Sequence, residues 1–145
     1  MLQNIIVIDS NFILLPYQFK IDYLNEIRNL LEGTLKFIIF DQSIRELNSK
    51  VKRYSLATKF HTQFQSGLGY LEKNKEIFNI EYIDDLKDEL ETTDDFLLRK
   101  LITLKEESMI IYLATNDSGL RKKAKEKGFN TIFMRQKKFL TIERV

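Results

Sequence analysis

The chain has 145 residues, a length that suits one compact domain, and we expect residues 1–145 to form a single domain. Hydrophobic residues make up 43% of the sequence and charged residues 30%, which predicts a packed core and argues against an intrinsically disordered chain. Cysteine is absent and His61 is the only histidine, so disulfides, thiolate metal sites and histidine-rich metal sites are excluded within one chain. Catalysis would therefore depend on carboxylates, hydroxyls, lysines or backbone groups.

The formal net charge of +2 conceals a segregation of charge along the chain. Residues 1–117 carry 14 Lys and Arg against 19 Asp and Glu, whereas residues 118–145 carry 9 against 2. A basic segment of this kind favours a polyanionic partner, with a solvated basic helix as the plain alternative. No segment reaches the ~18 consecutive apolar residues of a membrane span, and the first residues do not resemble a signal peptide, so we expect a cytoplasmic protein with no membrane partner.

Short apolar runs alternate with stretches of helical periodicity along the whole chain. The apolar runs predict strands at residues 4–8, 36–40, 78–83, 109–114 and 131–134. The periodic stretches predict helices at residues 21–31, 41–51, 53–75, 92–104 and 120–127. The inner face of the fourth helix is expected to carry Leu97, Leu98, Leu101, Ile102 and Leu104. This alternation predicts an α/β fold with a mainly parallel, five-stranded sheet and helices on both of its faces.

Acidic residues stand where the predicted strands end. Asp9 directly follows the first strand, Glu46 lies one turn into the helix after the second, and Asp117 follows the fourth. Asp94 and Asp95 open the helix at residues 92–104. Because the functional crevice of an open α/β sheet lies beyond the carboxyl ends of its strands, we expect these carboxylates to face one crevice.

Several carboxylates in one crevice repel one another unless a cation lies among them. Oxygen ligands without Cys or His select Mg²⁺ or Mn²⁺, which favours phosphoryl chemistry. Asp9 at the end of a buried strand is hard to explain structurally, because Asp is rarely buried without a partner. The other acids have simpler interpretations: Glu46 could lie on the surface, Asp117 could cap a helix, and either Asp94 or Asp95 could do the same. Of the last two we favour Asp95 as the ligand. Small polar residues beside the acids could support the ion or the substrate, or could simply form turns; they are Ser10, Asn11, Thr115 and Asn116.

Four motifs in this order resemble those of the PIN-domain nucleases. Asp9-Ser10-Asn11 after an apolar strand resembles the opening motif, and the segment that ends in Glu46-Leu47 resembles the second acidic motif. Residues 93–98 resemble the third motif, with Asp95 as the ligand and Asp94 as its alternative, and residues 113–117 resemble the fourth, which ends in Asp117. The fourth motif and the basic helix after it are similar to an archaeal branch related to ribosome-processing nucleases. The family also includes toxins of toxin–antitoxin pairs.

The resemblance implies a three-layer α/β/α fold and hydrolysis of single-stranded RNA with one or two Mg²⁺ or Mn²⁺ ions. The ions would be held by Asp9, Glu46, Asp95 and Asp117. The expected partners are RNA, a protein antitoxin or a pre-ribosomal particle, and a second copy of the chain in a homodimer. Six basic residues are candidates for contacts with the RNA backbone: Arg121, Lys122, Lys125, Arg135, Lys137 and Lys138.

Two other functions fit the same residues. A non-catalytic RNA-binding or assembly module would retain the acids and cut nothing. A phosphatase of the haloacid-dehalogenase type would use Asp9 as its nucleophile, but Asn11 stands where such enzymes carry a second acid. Metal-dependent turnover of RNA distinguishes the nuclease from both.

Overall fold

A computed structural model describes residues 2–53, 58–105 and 109–145. In these residues the strands are β1 (Gln3–Ile8), β2 (Thr34–Phe40), β3 (Ile80–Ile83), β4 (Met109–Ala114), β5 (Asn130–Arg135) and β6 (Phe139–Glu143). The helices are α1 (Ser10–Ile13), α2 (Leu15–Phe19), α3 (Tyr23–Leu30), α4 (Asp41–Arg53), α5 (Thr58–Asn74), α6 (Thr93–Leu104) and α7 (Ser118–Glu126). The helix predicted at 53–75 includes residues 54–57, which lie outside the described residues.

The strands form one mixed sheet in the order β3-β2-β1-β4-β5-β6. All neighbouring strands from β3 to β5 are parallel, and β6 pairs antiparallel with β5. The prediction of five strands was therefore wrong by one, because β6 was missed. The β5–β6 turn places Gln136 and Lys137 in the left-handed region, at φ 53° and 56°, where hairpins usually carry Asn or Gly. The sequence thus lacks the usual signal of a hairpin at this point.

The sheet separates two hydrophobic cores, which confirms the three-layer α/β/α arrangement. Ile6 and Ile8 of β1 point to the core that the first five helices cover, and Ile5 and Val7 point to the core beneath α6 and α7. Burial on both faces explains why β1 reads as a continuous apolar run. Ile102 is 55% exposed, so its predicted place on the inner face of α6 was wrong. No helix in the described part of the chain is both long and apolar enough to cross a bilayer.

Helix α5 packs closely on α1, the first helix after β1. Gly67 of α5 packs on the backbone of Ile13, and a Cβ atom at this glycine would lie 2.2 Å from the Ile13 carbonyl oxygen. Gly69, two residues later, has no such neighbour within 4 Å. Gly67 therefore permits the close packing of α5 on α1. Helix α5 continues through both glycines without a break.

Candidate active site

Asp9 lies at the carboxyl end of β1, near the middle of the sheet, and is only 6% exposed. It is the N-cap of α1, and its Oδ1 atom accepts a hydrogen bond of 2.7 Å from the backbone N–H of Ser10. Its Oδ2 atom accepts hydrogen bonds from the Thr115 hydroxyl at 2.7 Å and the Asn11 amide at 3.3 Å. A carboxylate has about four acceptor positions, so these three bonds leave Asp9 room for about one further ligand.

Burial raises the pKa of Asp9 from 3.8 to about 6. The hydrogen bonds from Thr115 and Ser10 oppose this rise, because they stabilise the charged carboxylate. The negative charges of Glu46 and Asp94 raise the pKa further. Ionisation of a buried carboxylate near other acids is unfavourable. A bound cation would offset this cost, because it favours the charged form of the carboxylate.

Three polar residues tie the ends of β1, β4 and β5 together. Thr115 is fully buried, and its hydroxyl accepts from the Asp117 backbone N–H at 3.1 Å while it donates to Asp9. The Asn11 Oδ1 atom accepts from the Asn116 backbone N–H at 3.1 Å. The Asn116 side chain in turn accepts from the Met134 backbone N–H at 2.8 Å. The polar groups predicted to surround the site therefore hold the strand ends in place around Asp9.

Glu46 faces the same crevice from α4. Its Oε2 atom accepts a hydrogen bond of 3.3 Å from the buried Ser10 hydroxyl, directly beside Asp9. The turn of α4 that carries Glu46 is fixed by Leu47, which is 1% exposed in the core below. Its electrostatic effect on Asp9 and its contact with Ser10 place Glu46 at the site, not on an unrelated surface.

Asp94, and not Asp95, is the acid of this pair that acts on Asp9. Thr92 is the N-cap of α6 and accepts the Asp95 backbone N–H at 3.1 Å, so this cap needs neither carboxylate. Asp94 is half-buried, and its pKa is raised by burial and by the charges of Asp117 and Asp95. Asp95 is exposed. The structure therefore brings Asp94 to the group and leaves Asp95 at the surface.

Asp117 caps α7 with one of its two carboxylate oxygens. Its Oδ1 atom caps α7 by accepting the backbone N–H groups of Gly119 at 2.9 Å and Leu120 at 3.1 Å. Its Oδ2 atom has no hydrogen-bond partner among the described residues. One oxygen thus fixes the helix and the other remains for a ligand, while the charge of Asp117 acts on Asp94.

The donor set fits a hard divalent cation held partly through water. Within residues 2–53, 58–105 and 109–145, no three acidic or histidine side chains lie close enough together to form a ready-made metal cluster. Mg²⁺ does not need such a cluster, because it usually binds one or two carboxylates and completes its shell with waters and substrate phosphates. Asp9, Glu46, Asp94 and Asp117 are the carboxylates that would hold such an ion, directly or through water.

Three of the predicted RNA contacts lie together on α7. Arg121, Lys122 and Lys125 line a shallow cleft of about 230 Å³, which we call the α7 surface. The Arg121 guanidinium lies 3.9 Å from the centre of the Phe133 ring, which holds it against β5. Lys125 forms an ion pair with Glu143, whereas Lys122 is exposed.

The other three predicted contacts lie at the β5–β6 turn. Arg135 and Lys138 are exposed, and Lys137 projects from the turn to 5.9 Å from the centre of the Phe19 ring in α2. The turn therefore carries its basic residues towards the helices that follow β1.

Two groups of cations near the acids were missed in the sequence. The charge of Lys123 lowers the pKa of Asp94, so this lysine acts on the acids electrostatically. Lys50 and Lys87 lie with other cations in a cleft that Glu46 also lines. The acidic balance of residues 1–117 hid this second group, because total charge does not show which side chains share a surface.

The chain belongs to the family of PIN-like domains, whose model matches residues 6–137. The resemblance carried by the four acidic motifs is thereby confirmed, and the family includes nucleases that hydrolyse nucleic acids. Among solved structures, the PIN domain endonuclease Utp24 is 20% identical with a TM-score of 0.68, over 97% of this chain and 92% of that one. A domain of a functionally unknown protein from Methanocaldococcus jannaschii DSM 2661 is 17% identical with a TM-score of 0.65, over 97% and 95%. No curated protein sequence gives a significant match.

Proposed function

We propose that the chain is an Mg²⁺- or Mn²⁺-dependent ribonuclease that hydrolyses phosphodiester bonds of single-stranded RNA. The observation that carries the proposal is Asp9, a buried carboxylate whose pKa is about 6 and whose nearest charged neighbours are other acids. When it is ionised and no cation is bound, such a buried group destabilises the protein. Its presence therefore indicates a function that needs the charge. Membership in a family that includes nucleases supports that use.

The side chains divide the work between holding a cation and orienting the acids. Asp9 and Asp94 would bind the ion, and Glu46 and Asp117 would complete its surroundings. The ion would neutralise phosphoryl charge and make a water molecule more acidic. Thr115 stabilises the charged form of Asp9 through the hydrogen bond to Oδ2 and so keeps that oxygen deprotonated at neutral pH.

RNA is supported as the substrate by the charge beside the acids. The β5–β6 turn and the first turns of α7, which Asp117 caps, present cations near the acids, whereas Lys125 pairs with Glu143 towards the amino end of β5. Phosphates are attracted to these cations without regard to base sequence, and this attraction weakens as salt increases. The endonuclease Utp24 shares the fold at 20% identity, and the proposal extends endonuclease activity to this chain.

Cleavage of a labelled single-stranded RNA in Mn²⁺, Mg²⁺ or EDTA tests the proposal. The wild type should cut in either metal and stop in EDTA, and Asp9→Asn should abolish cutting. Asp85→Asn is a matched control, because Asp85 pairs with Lys100 at the surface and has no contact with the site. Binding without cutting in any metal would refute the nuclease and support an RNA-binding module. Turnover of a small phosphate ester without RNA cleavage would instead support the phosphatase.

A further inference from the structure

A cationic cleft borders the acidic site on the side away from α7. It lies between α4 and the segment after β3, has a volume of about 310 Å³, and is lined by four cations: Arg45, Lys50, Arg53 and Lys87. We call it the α4 cleft. Glu46 is the only carboxylate among the described residues that line it, so the cleft opens directly onto the acids. Such a concentration of positive charge in a concave surface attracts anions.

One hydrogen bond joins the two walls of the α4 cleft, and two further contacts fix side chains within single walls. The Gln42 side chain on α4 accepts a hydrogen bond of 3.1 Å from the Lys87 backbone N–H. The Lys87 ammonium donates to the Glu91 carbonyl oxygen at 3.0 Å, which fixes the direction of the lysine. Arg45 forms an exposed ion pair with Asp41 at 3.1 Å. The cleft therefore has a defined shape before any ligand binds.

The order of the strands places the acids between two cationic surfaces. The α4 cleft follows β2 and β3 at one side of the sheet, and the α7 surface follows β4 next to β5 at the other. Asp9 at the end of the central β1 lies between them. Four strand spacings separate β3 from β5, or roughly 19 Å at about 4.8 Å for each spacing. At about 3.4 Å or more per phosphate, about six phosphates of a nucleic acid strand are enough to cover this distance.

We propose that the α4 cleft binds RNA phosphates on the opposite side of the scissile bond from the α7 surface. The proposal rests on the proposed function, because it takes the acids as the place of cleavage. An RNA strand that is bound on both sides of the acids lies at a fixed distance from them. This positions one phosphate for hydrolysis. Lys50 and Arg45 are then substrate-positioning residues, since they bind phosphates next to the one that reacts.

The salt dependence of RNA binding tests the proposal without requiring turnover. Binding of a labelled oligouridylate of about 12 nucleotides, twice the length that crosses the acids, is measured in EDTA over a range of salt concentrations. The double variant Arg45→Gln/Lys50→Gln removes two cations from the cleft. The matched control Lys52→Gln/Lys73→Gln removes two exposed cations of α4 and α5 that do not line it. Both proteins have the same net charge.

The cleft variant should lose affinity and salt dependence together. Each phosphate contact contributes about 0.7 to the slope of log affinity against log salt, so the slope should flatten by about 1.4. Near 0.1 M salt this corresponds to roughly 25-fold weaker binding. The control should bind like the wild type. Equal losses in the two variants, or no loss in either, would overturn the proposal.

Cleavage measured on the same proteins distinguishes this proposal from the proposed function. If the wild type cuts RNA and the cleft variant binds and cuts like it, the cleft proposal fails and the nuclease stands. If the wild type cuts nothing in any metal but the cleft variant still loses affinity, the nuclease fails and the cleft remains an RNA site. If the wild type binds no RNA at all, both are overturned.

Discussion

Replacing Asp9 by Asn should remove a loss of stability that the metal-free protein undergoes as the pH rises to neutrality. The folded protein raises the pKa of Asp9 from 3.8 to about 6, chiefly by burial, so folding opposes ionisation of this group. A difference of this size corresponds to about 3 kcal/mol, at about 1.36 kcal/mol for each pKa unit. The stability that Asp9 contributes is complete below pH 3.8 and is lost as the pH rises through about 6. An asparagine stays neutral and avoids this loss.

Urea unfolding of the wild type and Asp9→Asn in EDTA, at pH 4 and pH 7, measures the effect. The difference in unfolding free energy should move by about 2 kcal/mol in favour of the variant between these two values of pH. Changes in packing and hydrogen bonds are common to both measurements, so the pH dependence isolates the charge of Asp9. A difference that stays constant with pH would refute the pKa and with it the electrostatic argument for a cation site. A difference that moves in favour of the wild type would do the same.

Three further predictions concern the site and its supports. Asp94→Asn should lower RNA cleavage at least tenfold while Asp95→Asn leaves it within about twofold, and kcat measured on both variants would decide which acid belongs to the site. Mn²⁺ or Mg²⁺ at about 100 times its Kd should raise the unfolding free energy by about 2.7 kcal/mol at pH 8 and by much less at pH 5, where a carboxylate must first lose its proton. Gly67→Ala should destabilise the protein by about 1–3 kcal/mol through the clash with the Ile13 carbonyl, and Gly69→Ala should stabilise it by about 0.5–1 kcal/mol in urea unfolding. Equal effects of the two glycine substitutions would contradict the close contact.

The three layers and the parallel strands could be predicted from the sequence, because both depend on patterns that cover many residues. The prediction missed α1 and α2, of four and five residues, since a helix of about one turn has no room for a period. Pro16 at the start of α2 was the local signal that could have revealed it. Strand β6 was missed for the opposite reason: its alternation is present, but its turn lacks the residues that normally accompany a left-handed backbone.

For the site, the sequence identified which acids follow strands but could not decide between neighbours. Asp94 and Asp95 differ by one position, which is a rotation of about 100° on a helix, so the packing of α6 decides which one faces Asp9. Phe96 and Leu97, both fully buried, fix that rotation. The general position of the acids therefore followed from topology, whereas the choice of ligand required tertiary packing.

The charge of Asp9 explains why so many polar groups gather at one edge of the sheet. An ionised carboxylate that is 6% exposed must be stabilised locally, and Thr115 and the Ser10 backbone supply hydrogen bonds that lower its pKa. They do not compensate for burial completely, since the pKa still rises to about 6. A bound cation would recover the remaining free energy and so couple the stability of this edge to metal binding. The same hydrogen-bonded residues that moderate the charge also join the ends of β1 and β4, so binding of an ion should tighten the crevice that the RNA strand would cross.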